Sequence, residues 1–139
     1  MSFETDLRTR LIDDATIASL VSTRVYWKVR PQNSALPCIV LGTVFGARDQ
    51  HMEGPIGTQG NRMQFDCLAK QANGVGGKDN ALALRNAVMA VIESSGIEGD
   101  TEFQGGFVNL YRDEATDTAS GLVHAEMIDA TIWFNEFVS

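Results

Sequence analysis

The stretch Arg24 to Phe45 constrains this chain most. A short β-prone run, Arg24-Val25-Tyr26-Trp27, is followed by a spacer from Lys28 to Leu36 and then by Pro37-Cys38-Ile39-Val40-Leu41. Two prolines, Pro31 and Pro37, punctuate the spacer. Proline fixes φ and withholds its N–H, so the spacer cannot sit inside a sheet. It must be an extended crossing between two strands.

The flanks complete the pattern. Before the crossing, Phe3, Leu7 and Leu11 recur on one face of a helix that Ser2 caps. Asp13-Asp14 interrupts it, and Asp14 or Thr16 caps a short second turn carrying Ile17, Leu20 and Val21. Val25 to Val29 is the first predicted strand and Ile39 to Gly46 the second. In the second, Ile39, Leu41 and Phe45 face one way and Val40 and Val44 the other. Two apolar faces imply two covers: helices on one side, a neighbouring subunit on the other.

Ala47 to Asn61 reads as a loop, because Gly54-Pro55-Ile56-Gly57-Thr58-Gln59-Gly60 is dense in turn formers. Arg62 to Ala69 alternates as a third strand, with Met63, Phe65 and Cys67 inward. A glycine-rich turn leads into the strongest helix, about Asp79 to Ser95, with Leu84, Val88, Val91 and Ile92 in one stripe and Gly96 as its stop. Phe103 to Arg112 and Val123 to Phe134 form a final hairpin with a polar tip, Asp113 to Gly121. The expected fold is α+β in a single domain over residues 1–139. Its order is α-β-β-β-α-β-β, a mostly antiparallel sheet of about five strands with two main helices on one face.

Composition narrows the function classes. With 139 residues, 44% apolar and 21% charged, the chain is long enough for one two-layer core. No apolar run reaches the roughly 18 residues of a membrane span. Glu4 and Asp6 stand where a signal peptide would be basic. Cys38 and Cys67 both fall in predicted strands. They form either a disulfide, if those strands pair, or two buried reduced thiols, which suits a protein that matures in the cytosol. Charge is lopsided: ten Lys/Arg face eight Asp/Glu up to Arg85, and one Arg faces ten acids after it. That opposes phosphate neutralisation as a source of affinity. The acids are either a solvating face or a surface past which nucleic acid slides without sticking.

The chemical motifs are weak. In Gly74-Val75-Gly76-Gly77-Lys78-Asp79, Ala72 stands where a phosphate loop needs its first glycine, and Asp79 replaces the hydroxyl that serves Mg²⁺. Asp79 reads better as a helix cap. His51 and His124 have no flanking ligand pattern, so no metal or cofactor is expected. No serine or cysteine lies in a nucleophile-elbow context. Asp13-Asp14 and Asp113-Glu114 read as capping and turn acids. The aromatics Trp133, Phe134 and Phe137 either finish the core or anchor another subunit. Arg48, His51, Met52 and Ile56, on the glycine-rich loop, are further candidates for an interface that orders on assembly.

Taken in order, Leu7, Leu11 and Asp14, then Leu20-Val21, Arg24-Val25-Tyr26, Ala35-Leu36-Pro37 and the next apolar strand resemble one family. So do Met63-Gln64-Phe65-Asp66-Cys67 and the helix around Ala83 to Ile92. The family is that of the tail-completion proteins, or tail terminators, of long flexible-tailed bacteriophages and gene-transfer particles. The match by motif covers about residues 5 to 95; the last hairpin fits by element type only. The resemblance implies a structural virion protein, made in the host cytoplasm, with no catalytic residues. Such a protein forms a six-membered ring on the head-proximal end of the tail tube, stops tube growth and offers the neck a joining surface. DNA passes through its channel, which Asp113, Glu114 and Asp117 are expected to face. Two other readings stay open: a neck connector or tube subunit, and a small-molecule-binding domain or hydrolase with a polar pocket.

Overall fold

The computed structural model describes residues 3–29, 36–51, 54–70, 77–99, 101–118 and 121–136; the side chains of 45–51, 54–59, 77, 116–118, 121 and 136 lie outside the description. Helix α1 (Phe3–Asp13) buries Phe3, Leu7 and Leu11, the predicted stripe. The Asp14 carboxylate accepts a hydrogen bond from the Ile17 N–H at 3.0 Å and caps α2 (Ala15–Val21), whose Ile17 and Val21 turn inward. Strand β1 (Val25–Trp27) follows, then β2 (Cys38–His51); residues 30–35 of the expected crossing, Pro31 among them, lie outside the described residues. β1 and β2 are parallel, with Val25 opposite Ile39 and Trp27 opposite Leu41, as a crossing between same-sense strands requires. Arg24 ties down the crossing's end: its Nε donates to the Pro37 carbonyl at 2.9 Å.

β3 (Gly54–Lys70) returns antiparallel to β2. Helix α3 (Gly77–Glu93) crosses the sheet, and β4 (Gly96–Glu98), β5 (Thr101–Thr118) and β6 (Gly121–Glu136) complete it. The six strands lie in the order β1-β2-β3-β6-β5-β4, and only the β1–β2 pair is parallel. The fold is α+β as the sequence implies, with one strand more than expected. Gly96 does not close the helix; it opens β4, and α3 ends at Glu93. At its other end α3 starts at Gly77, so Asp79 lies inside the first turn, where its charge suits the helix dipole.

The expected loop Ala47–Asn61 is ladder almost throughout. β2 reaches His51 and β3 resumes at Gly54, with Ala47 opposite Gly60 and Gln50 opposite Pro55. Pairing on the far side explains it: β6 holds Thr58, Gln59 and Gly60 against Asn135, Phe134 and Trp133. Tertiary pairing overrides local turn preference. The last hairpin is longer than expected for the same reason, with pairs continuing to Thr118–Gly121. Asp113 and Glu114 therefore lie in β5, opposite Glu126 and Ala125, and not at a turn.

The core lies between one sheet face and the helices. α3 packs over β3, β6 and β5, α2 against β2 and α3, and α1 against α2, α3 and β4. Ile39, Leu41, Met63, Phe65, Ile128, Ala130 and Ile132 point into this layer and are buried. Phe3 stacks on Phe134 with ring centres 3.8 Å apart, and Phe103 closes the cluster 5.8 Å from Phe3. One polar pair is enclosed with them: Thr101 Oγ1 donates to the buried Asp6 carboxylate at 2.6 Å, linking α1 to β5.

The cysteines are free and buried. The register gives the reason they are not joined. Cys38 stands opposite Leu68 and Cys67 opposite Ile39, so the two thiols leave the ladder on opposite faces. Burial, with Asp66 and Glu126 nearby, pushes the Cys67 thiol well above its ordinary pKa, which makes it a poor nucleophile.

Candidate assembly interface

Pairs across the ladders assign every other residue of β2, β3, β6 and β5 to the face away from the helices. No described helix covers that face. Its centre is polar. Arg62 grips Asp129 with Nε at 2.8 Å from Oδ1 and Nη2 at 2.5 Å from Oδ2. Asn109 Nδ2 donates to Asp129 Oδ1 at 3.2 Å and to Thr131 Oγ1 at 3.1 Å. Gln64 reaches Asp66 at 3.0 Å. The fork of Arg62, aided by Asn109, holds the Asp129 carboxyl below its ordinary value against the opposing effect of burial. A depressed carboxyl stabilises above the unfolded value and loses that contribution as pH falls through the folded one. NMR titration of Asp129 should therefore give a midpoint below the ordinary 3.8; a midpoint at or above it would show that the fork does not persist in solution.

Apolar side chains flank the polar strip. Among the described residues the exposed large hydrophobics are Val29, Val44, Ile97, Phe107, Leu110 and Tyr111. All six belong to the two lateral borders of the sheet: Val29 and Val44 on the β1/β2 side, the other four on the β4/β5 side. None lies on a helix or on the central strands β3 and β6. A shallow hollow of about 260 Å³ beside β2 is lined by Lys28, Val40, Gly42, Val44, Gln64 and Asp66. Another, of about 460 Å³ along β5, is lined by Glu93, Gln104, Gly105, Gly106, Phe107 and Trp133.

The interface candidates divide as follows. Trp133 is half-buried on the uncovered face and lies over Gly60, where a Cβ would meet its ring at 2.6 Å. That close approach is why β3 carries glycine there. Its neighbour Phe134 turns the other way into the core, the first of the two roles the sequence left open. Arg48 and His51 lie in β2 opposite Gln59 and Gly54, and Ile56 lies in β3; their side chains are outside the description, as is that of Asp117 in β5. Met52 and Phe137 are outside the described residues altogether. Asp113 and Glu114 are exposed and, as successive strand residues, occupy opposite faces. Asp113 lies on the helix side, 3.5 Å from Lys78 of α3.

Sequence reasoning missed the two lateral borders, because an edge is defined only once the strand order is known. The sequence did contain one sign of them: Phe107, Leu110 and Tyr111 break the simple alternation of β5. The structure shows bulges there, between Phe103 and Gly105 and between Val108 and Leu110. Among the described residues no group of three His, Cys, Asp or Glu is placed to hold a metal, and no helix is long and apolar enough to cross a membrane.

Comparison with known proteins gives these borders a context. A solved structure entitled "Virion of native gene transfer agent (GTA) particle" contains a chain of the same fold, with a TM-score of 0.69 at 18% identity. The alignment covers 96% of this chain and 95% of that one. No curated protein matches in sequence. The family model described as "Tail completion protein gp17" matches residues 5–133, nearly the whole chain. This chain therefore belongs to the tail completion protein gp17 family, a family of structural virion proteins and not of enzymes.

Proposed function

We propose that copies of this chain close into a ring on the head-proximal end of a phage-type tail tube. The ring ends tube polymerisation and presents a joining surface to the neck proteins of the capsid. Six copies form it, and the genome passes through its channel without specific binding. One observation supports the reading beyond family membership: the sheet exposes apolar side chains at two different borders on opposite sides of one subunit. A closed ring is built from heterologous contacts, so each copy must offer two unlike surfaces that fit each other. Of the acids expected along the channel, Glu114 occupies the face away from the helices, and it is proposed to stand along the channel and repel the DNA backbone; Asp113 lies on the helix side beside Lys78.

Deleting the gene and imaging the particles tests this. Overlong tails without heads are expected; tails of normal length joined to capsids would overturn the reading. Complementing the deletion with the Glu114→Lys variant should restore tail length but slow DNA ejection. Ejection at the wild-type rate would remove Glu114 from the channel.

A further inference from the structure

We propose that the joint between neighbouring copies is an antiparallel strand pair. The free edge of β2 in one copy bonds to the free edge of β5 in the next, so one continuous sheet runs around the channel. The inference rests on the ring reading above and specifies how that ring is held.

The sheet order leaves two long edges. β1 covers only Ile39–Leu41 of β2, and β4 covers only Thr101–Phe103 of β5. Among the described residues, nothing pairs with the outer edge of β2 from Gly42 to His51 or of β5 from Gln104 to Thr118. A long exposed edge with apolar side chains is a template for another strand, and natural proteins blunt such edges unless they use them. Here Val44 is exposed on one edge and Phe107, Leu110 and Tyr111 on the other.

Strand polarity fits a cyclic assembly. β2, β3, β6 and β5 alternate in direction, so β2 and β5 run oppositely within one copy. Rotation about a ring axis preserves polarity, so β5 of one copy meets β2 of the next antiparallel. The up-down alternation then continues across every joint without a break.

The free stretches are offset, and the offset matches a tilted cylinder. The middle of the β2 stretch, about Ala47, is in line with Gly60, Trp133 and Gly105; the middle of the β5 stretch is Tyr111, opposite Ile128. Trp133 and Ile128 are five ladder positions apart, a slide of about 17 Å at roughly 3.3 Å per residue. Four long strands per copy at about 4.8 Å span about 19 Å. Bringing the two stretches together therefore requires a strand tilt of about 40°, within the roughly 35–45° usual for closed sheets. With the helices outside, a β3–α3–β4–β5 connection of the usual right hand gives the slide the sign that brings these edges together. The slide also moves β1 and β4 out of each other's way. The uncovered face, with Arg62, Asp129 and Trp133, then lines the channel.

Cross-linking tests the joint. Val44→Cys is combined in turn with Arg112→Cys, Glu114→Cys and Thr116→Cys, which brackets the register that sets Ala47 opposite Tyr111. Each variant is incubated with tubes from the deletion strain and oxidised. One pairing should give a ladder of linked copies ending in a closed band, and the single-cysteine variants none. As a second arm, Val44→Lys with Leu110→Lys should keep the wild-type circular dichroism but reduce closed oligomer at least tenfold. If the wild-type protein closes into rings, free or on tubes, and no pairing links and the lysines leave closure intact, the strand joint is wrong and the ring reading survives. If no closed oligomer of the wild-type protein forms under any condition, the ring reading itself falls, and this inference with it.

Discussion

Replacing Arg85 with leucine is expected to cost about 3–5 kcal/mol of folding stability, the range for removing one partner of a buried ion pair. Glu126 lies on the inward face of β6 and is 3% exposed. Arg85 of α3 approaches it, with Nη1 3.4 Å from Oε2, while its guanidinium lies 4.6 Å from the centre of the Tyr111 ring. Without Arg85 the carboxylate stays enclosed and uncompensated, which costs far more than one lost hydrogen bond. The double variant Arg85→Leu, Glu126→Leu separates this from lost packing. Removing both charges should recover most of the loss, since well-packed apolar replacements of buried pairs are often neutral. Urea denaturation measures both variants. A loss below about 1 kcal/mol for Arg85→Leu, or no recovery in the double variant, would refute the argument. By contrast the Lys78–Asp113 pair, 3.5 Å apart with both side chains more than half exposed, should be worth well under about 1 kcal/mol.

This pair also shows where sequence reading stops. Arg85 and Glu126 are 41 positions apart, and each looks like an ordinary polar residue on an amphipathic element. Only the packing of α3 across β6 brings them together. Patterns set by local periodicity were legible: the Phe3, Leu7, Leu11 stripe, the Asp14 cap, and the inward Met63, Phe65 and Cys67. The separation of Val25–Trp27 from the strand that begins at Cys38 was legible because proline restricts the backbone wherever it occurs. Features set by partners across the sheet were not. Gly54 to Gly60 carries turn chemistry, yet β6 pairs with its second half and keeps it extended. The family was recognisable from structural motifs, whereas the borders proposed to close the ring follow from strand order.

Gly106→Ala should cost about 3 kcal/mol, the upper end of the range for overfilling a packed interior. A Cβ at Gly106 would lie 2.6 Å from the Thr131 carbonyl oxygen and 3.0 Å from that of Ile92. Both obstacles are backbone, one in β6 and one in the last turn of α3, so neither can rotate aside. β5 would have to lift from β6, or the end of α3 from the sheet. Gly42→Ala is the control: nothing lies within 4 Å of its added Cβ, and strand glycine is itself unfavourable by roughly 0.5–1 kcal/mol. That variant should melt at or slightly above the wild-type temperature. The contrast isolates close approach from the general effect of removing a glycine. It also reaches assembly, because Gly106 lies in the same strand as the edge proposed to bond the next copy. Gly106→Ala should therefore lose ring closure at temperatures where its helices remain folded by circular dichroism. Equal melting of the two variants would mean that α3 and β6 do not grip β5 here, and would leave the free edge of β5 without the rigid backing the joint requires.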